Sequence, residues 1–273
     1  MADARVEKLA EVLVGYSASV RPGELVSVEG PLAAEPLLLE VYRQVLRHGG
    51  HPLPKVKLGR ETEIFYAEAG DAQLDWVDPP FLGINEHADV RIIVDAETNT
   101  KGLSNVSPAK QARRSRAREA SRNRYLERAA AGELKWVLTA YPTEAAAQDA
   151  EMSLAEYEDF VYGAGKLFEP DPVAAWREFS TRAFAAKAFL EGVRELRVVA
   201  EGTDLVLGVA GRIWEPSVGK ENFPDGEVFT APLETQVDGT IRFTYPAVFQ
   251  GREVNDVELR FEGGEVVDSS ASH

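Results

Sequence analysis

Residues 89–97 read DVRIIVDAE, near-continuously apolar from Val90 to Val94, and KWVLTAY at 135–141 repeats that character. A strand written this way is covered on both faces, which is the condition of a parallel sheet and not of a half-exposed hairpin. The segments around these strands carry the helical period. Val6, Leu9, Leu13, Tyr16 and Val20 recur at three- and four-residue spacing, and Arg21-Pro22-Gly23 ends the stripe. ELVSVEG forms a short strand next. Residues 33–47 then predict a second helix with Leu38, Val41 and Val45 inward, closed by Gly49-Gly50, and PKVKL predicts another strand. A long helix over about 108–131 separates the two apolar strands. Ser153 with Glu156 three residues on is a capping box for MSLAEYEDFVYGA. Asp171-Pro172 opens a last helix whose inward face is Val173, Trp176, Phe179, Ala183, Ala186 and Leu190. Alternation of this kind predicts βα units: an α/β fold, with a mostly parallel sheet and flanking helices, over residues 1–192.

Near residue 193 the pattern changes. RELRVVAEGTDLVLGVA is two strands about a Gly-Thr-Asp turn, and GTIRFTYPAV alternates Ile241, Phe243 and Tyr245 against Arg242 and Thr244. In VELRFEGGEVVDSS, Val257, Leu259 and Phe261 share a face and Gly263-Gly264 makes a two-residue hairpin turn. Residues 193–273 are therefore expected to form a β-rich start of a second domain. Its 195–273 stretch holds 15 acids against 6 bases, within a chain of net charge −15. That balance argues against a nucleic-acid partner and suits cationic or amine-bearing ligands, though solubility alone explains it just as well. No apolar run approaches the roughly 18 residues of a membrane span, and the start reads as an amphipathic helix, so the expected compartment is cytoplasmic, with no membrane partner.

The chain has no cysteine, which excludes disulfides, a thiol nucleophile and thiolate metal sites. A metal would be held by carboxylate and imidazole. Only His48, His51, His87 and His273 are available, so a histidine-rich shell would use nearly all of them. His48-Gly-Gly-His51 has two glycines where a metal-binding helix needs continuous turns, and reads as a helix cap and turn. His87, beside Glu86, is isolated. No dinucleotide fingerprint or phosphate loop is present, and Gly15-Tyr-Ser17 lies in a helix where no nucleophile elbow can form. The basic run from Lys110 to Arg128 lacks interleaved aromatics and reads as a solvated helix pairing with acidic neighbours, with a subunit interface next. Pro224-Asp225-Gly226 is a tight turn that delivers Glu227 at the first position of a strand, where backbone packing can fix a carboxylate. Read from the residues alone, that glutamate is equally a turn acid in solvent.

Three motifs carry a resemblance: Asn222-Phe-Pro-Asp-Gly-Glu-Val-Phe-Thr-Ala-Pro232, Tyr245-Pro-Ala-Val-Phe-Gln-Gly-Arg-Glu253 and Leu259-Arg-Phe-Glu-Gly-Gly264. With Tyr141-Pro-Thr, Met152 to Val161 and Gly202-Thr-Asp-Leu205 upstream, the chain resembles the thermophilic-type metalloaminopeptidases, the aminopeptidase T and aminopeptidase S family. The resemblance implies a cytoplasmic homodimeric exopeptidase that hydrolyses peptides with a free N-terminus, using two divalent metal ions of the Zn, Co, Mn or Mg class. It carries a metal-ligand role onto Glu227. It implies further that the other ligands, a glutamate, histidines and an aspartate, belong to a segment after the strand that ends near Ser270, and His273 matches no motif position. On this reading residues 193–273 are an incomplete part of the catalytic domain, and the chain alone is weakly active or inactive. Lys220 and Asn222, on the loop before Glu227, are expected to line the cleft or simply to form a surface loop. Two other readings stand beside it: a non-catalytic peptide-binding or assembly module derived from the family, and a nucleotide- or acyl-binding α/β domain.

Overall fold

The structure is a computed structural model that describes residues 3–249 and 252–272. His273 and the Gln250-Gly251 pair lie outside the described residues. Two compact units divide the chain: Met1–Arg177 with Gly219–Asp225, and Glu178–Val218 with Gly226–His273. The helices are α1 (Ala4–Glu11), α2 (Glu35–Arg47), α3 (Glu61–Glu68), α4 (Asp71–Asp75), α5 (Pro79–His87), α6 (Pro108–Ala117), α7 (Glu119–Ala130), α8 (Glu144–Asp149), α9 (Leu154–Ala164) and α10 (Pro172–Leu190). The strands of the first unit are β1 (Leu25–Pro31), β2 (His51–Lys57), β3 (Val90–Asp95), β4 (Lys135–Ala140) and, much later in the chain, β8 (Asn222–Phe223).

These five strands form one sheet in the order β2-β1-β3-β4-β8, and each neighbouring pair is parallel. The expected α/β architecture is therefore present. Because alternate side chains of a strand face opposite ways, the two faces can be compared. Val26, Val28, Val90, Ile92 and Val94 are all buried on one face, and a Cβ on Gly30 of that row would lie 3.1 Å from both Leu38 of α2 and Val94. The opposite face carries Ser27, Glu29 and Arg91, also buried. Here Arg91 donates through Nε to Glu29 Oε1 at 2.7 Å and through Nη2 to Oε2 at 3.0 Å, while Ser27 Oγ donates to Oε1 at 2.9 Å. The third guanidinium nitrogen donates to Asn85 Oδ1 at 3.0 Å, and Asn85 Nδ2 donates to Ser121 Oγ at 2.7 Å. The network thus ties β1 and β3 to α5 and α7. Burial alone would raise the Glu29 carboxyl, but the hydrogen bonds and charge of Arg91, with Lys55 and Ser27, hold it below the ordinary carboxylate value.

Local signals place most helix ends. α1 runs directly into a π-helical turn, Val12–Ser17, so the N-terminal apolar stripe stays buried to its end. Gly49, at φ +78°, closes α2 as a left-handed cap. The single long helix expected over 108–131 is two helices, because the chain breaks at Arg118 between α6 and α7. Ser153 and Glu156 form the reciprocal capping box: Glu156 Oε2 accepts from Ser153 N at 2.9 Å, and Ser153 Oγ accepts from Glu156 N at 3.3 Å. Replacing Ser153 by Ala is expected to cost about 1 kcal/mol, read as a lower urea midpoint, and unchanged stability would show that α9 does not depend on its cap. On α10 the expected inward face is only partly buried: Trp176 and Ala183 are covered, whereas Ala186 and the flanking Phe184 and Phe189 are exposed.

In the second unit β5 (Glu195–Ala200) and β6 (Thr203–Gly208) form the expected antiparallel pair, but the turn is Glu201-Gly202 and not Gly-Thr-Asp, since Thr203 and Asp204 already pair with Ala200 and Val199. β7 (Glu215–Ser217) pairs antiparallel with β9 (Glu227–Phe229) as a separate ribbon. β10 (Val237–Phe243), β11 (Ala247–Phe249), β12 (Arg252–Glu262) and β13 (Glu265–Ser272) complete a sheet in the order β11-β12-β10-β6-β5, with β13 also on β12. The β12–β13 hairpin turns at Gly263 (φ +56°) and Gly264 (φ +87°), the paired positive dihedrals that a two-residue turn of this kind requires.

Candidate functional site

The segment before Glu227 is fastened from two sides. Asn222 and Phe223 extend the parallel sheet as its edge strand, in register with Leu138 and Thr139 of β4. Phe223 is buried against Trp176, ring centroids 5.3 Å apart, and Trp176 Nε1 donates to the Gly165 carbonyl at 3.0 Å. Gly165 and Gly219 permit this packing: a Cβ on Gly165 would lie 3.2 Å from the Phe223 ring, and one on Gly219 3.3 Å from both rings. Lys220 Nζ donates to the Tyr16 carbonyl and lies 3.8 Å from the centroid of the Tyr16 ring; burial holds its ammonium below the ordinary lysine value. Lys220 and Asn222 therefore secure this loop to the first unit.

Beyond Pro224-Asp225-Gly226 the chain enters the second unit, and Glu227 opens β9. Its backbone pairs with Ser217 of β7, Val228 pairs with Pro216, and Phe229 with Glu215. The strand end is anchored by Thr230, whose hydroxyl donates to the Ile213 carbonyl at 2.6 Å, and by Arg212 Nε, which donates to the Ala231 carbonyl at 2.9 Å. Glu227 itself is exposed, and no hydrogen bond or ion pair among the described residues engages its carboxylate. β9 thus presents an exposed carboxylate at its first residue.

A metal centre requires more than this. Among the described residues no three His, Asp or Glu side chains come together in a group able to hold an ion. His48 caps α2, with Nδ1 2.9 Å from the Gln44 carbonyl; His51 opens β2; His87 ends α5. These three stand on separate elements of the first unit. A pair of ions needs several donors each, and the described residues bring no such group together.

Sequence reasoning singled out Glu227 and missed the buried charges on the sheet. Glu29 and Arg91 were visible as single charged residues inside otherwise apolar strands, and that interruption is the signal. Of the basic run, Arg113 pairs with Asp71 and Asp75, and Arg124 with Glu86. Arg114 and Arg128 are instead buried and donate to main-chain carbonyls. Ser17 sits at the end of the π-helical turn, not in mid-helix, and no strand precedes it there to build an elbow.

The comparisons with known proteins bear on this geometry. The sequence model of the family described as "Thermophilic metalloprotease (M29)" matches residues 2–273. The chain belongs to this family. Within it, the chain is similar to Aminopeptidase 2 of Geobacillus stearothermophilus, 24% identical over 299 residues, an alignment spanning 97% of this chain and 70% of that one. Aminopeptidase T of Thermus thermophilus is 25% identical over the same shares of the two chains. Aminopeptidase PepS of Streptococcus thermophilus is 30% identical over 155 residues, 52% of this chain and 37% of that one. The solved structure of wild-type AmpT from Thermus thermophilus superposes with a TM-score of 0.82 at 24% identity, covering 98% of this chain and 71% of that one, which establishes a shared fold.

Proposed function

We propose that this chain acts as a metal-dependent aminopeptidase on peptides with a free N-terminus, with Glu227 as one ligand of a divalent metal pair. The observation that carries the reading is the M29 family match across residues 2–273. The unengaged carboxylate of Glu227 on a fixed strand supports the ligand role. A homodimer is the proposed assembly, supported by large apolar side chains that the second unit exposes, Ile213 at 73% and Phe189 at 76% among them. One carboxylate supplies too few donors for two ions, so the described residues are expected to hold metal weakly and turn peptides over slowly.

Titration of the purified chain with Zn²⁺ or Co²⁺, beside an assay of amino-acid release from short peptides, tests this. Weak binding is expected, lowered further in Glu227→Ala, and any release should stop with a chelator and spare N-acetylated peptides. Equal metal affinity in Glu227→Ala would remove its ligand role, and release from acetylated peptides would refute exopeptidase action. The absence of a three-donor group among the described residues favours one second reading, a non-catalytic peptide-binding or assembly module of the same family. Peptide binding with no turnover at any metal concentration would select it.

A further inference from the structure

On the polar face of the parallel sheet, between β2 and the helices α3, α5 and α6, lies a cavity of about 570 Å³. This is within the range of small-molecule sites. Its charge is the reverse of the chain's. Although the protein carries a net −15, the wall presents Lys55, Lys57, Arg114 and Arg118 as well as the Glu29–Arg91 pair, whose charges cancel. The two other acids on the wall are engaged locally: Glu61 accepts from the Leu58 amide at 3.0 Å, and Asp78 caps α5 through the Phe81 amide at 2.7 Å.

The cations are short of anionic partners. Arg91 takes both Glu29 oxygens, so Lys55 Nζ is left at 3.6 Å from that carboxylate. The Arg118 guanidinium reaches Asp78 only at 3.7 Å, and its Nε is buried and donates to nothing among the described residues. A buried donor without a partner is unfavourable unless something fills it. Arg114 donates to the Leu74 and Trp76 carbonyls and has no carboxylate partner among the described residues. Lys57 has no ion-pair partner among them either. Burial, with Arg118 close by, holds Arg114 below its ordinary value, and burial does the same to Lys55. Aromatic rings supply the remaining wall: Phe81 has Lys55 at 4.5 Å and Arg118 at 5.0 Å from its centroid, and Phe65 has Arg114 at 4.9 Å.

We propose that this cavity binds a small dianionic organic molecule, a phosphate monoester or a dicarboxylate joined to a flat apolar body. Its oxygens would accept from Arg118 Nε and Lys55 Nζ, and its body would lie against Phe81 and Phe65. Four cations against two locally engaged acids leave a surplus that a dianion neutralises. Arg118 sits at the break between α6 and α7 and lines the cavity, so the site is a product of the fold and does not rest on the metal reading at Glu227.

Calorimetric titration at low salt with phenyl phosphate, phthalate and the neutral control benzyl alcohol tests the site. Saturable binding of either dianion is expected, weakened roughly tenfold or more by Arg118→Gln, as loss of a charge-assisted contact predicts. Lys57→Gln, on an exposed side chain that cannot unfold the sheet, is expected to weaken it severalfold, and circular dichroism checks both variants. Tighter phenyl phosphate would identify a phosphate ester, and tighter phthalate a dicarboxylate; both support the site. No saturable heat with either dianion, equal binding of benzyl alcohol, or unchanged affinity in both variants would overturn it.

Discussion

Arg91→Met is expected to destabilise the first unit by about 3–5 kcal/mol, because it leaves the Glu29 carboxylate buried without its bidentate partner. That is a large share of the roughly 5–15 kcal/mol that holds a domain folded. The side chains of Glu29 and Arg91 are only 5% and 10% exposed, so water replaces the lost donors poorly. Lys55, at 3.6 Å, compensates in part. Urea unfolding of the single variants and of Glu29→Gln/Arg91→Met separates the terms: the double variant should recover a good part of the loss, since an amide buries more cheaply than a carboxylate. A double variant no better than Arg91→Met would show that packing around Tyr125, not charge, sets the cost. The pH dependence has a definite sign. In the native protein the Glu29 carboxyl is held below its ordinary value, so its contribution is present above the unfolded value of about 4.3 and is lost as pH falls through the folded one. In Arg91→Met burial acts without its main counterweight, so the penalty should shrink on acidification towards pH 4.

Trp176→Ala is expected to cost a comparable amount, about 3–5 kcal/mol, through the cavity left by a large side chain that is 1% exposed. Its second effect is local. β8 has only two residues in the parallel sheet, and the Trp176–Phe223 contact with the Gly165 hydrogen bond is what secures them. Hydrogen exchange should therefore accelerate across 219–226 more than across β1 or β3. Uniform acceleration, with no excess in that segment, would show that Trp176 serves the core at large and does not position the turn before Glu227.

What could be read from the residues follows their physical situation. β3 and β4 were legible because a strand covered on both faces is apolar for several residues. The Ser153 box and the Gly49 cap were legible because orphaned helix amides and carbonyls demand particular side chains or left-handed backbone. The break at Arg118 was not legible, since Ala117, Arg118 and Glu119 all suit a helix interior and only the packing of α6 on α4 and of α7 on α5 separates the two axes. β8 was equally silent, because two residues have no period. Its place beside β4 is decided by Trp176 and Phe223, 47 positions apart in the chain.

By itself, then, the sequence determined the α/β class, the later β-rich segment and, through the NFPDGEVFTAP motif, the family and the glutamate that opens β9. These rest on local periodicity, capping chemistry and contiguous residues, all of which survive without knowledge of distant neighbours. Only the tertiary structure decided that Glu29 meets Arg91, that Lys55, Arg114 and Arg118 converge on one cavity in an acidic protein, and that three of the four histidines stand apart. The reason is that an electrostatic site is made of pairwise distances between separate elements, and those distances exist only once the sheet and its helices have packed.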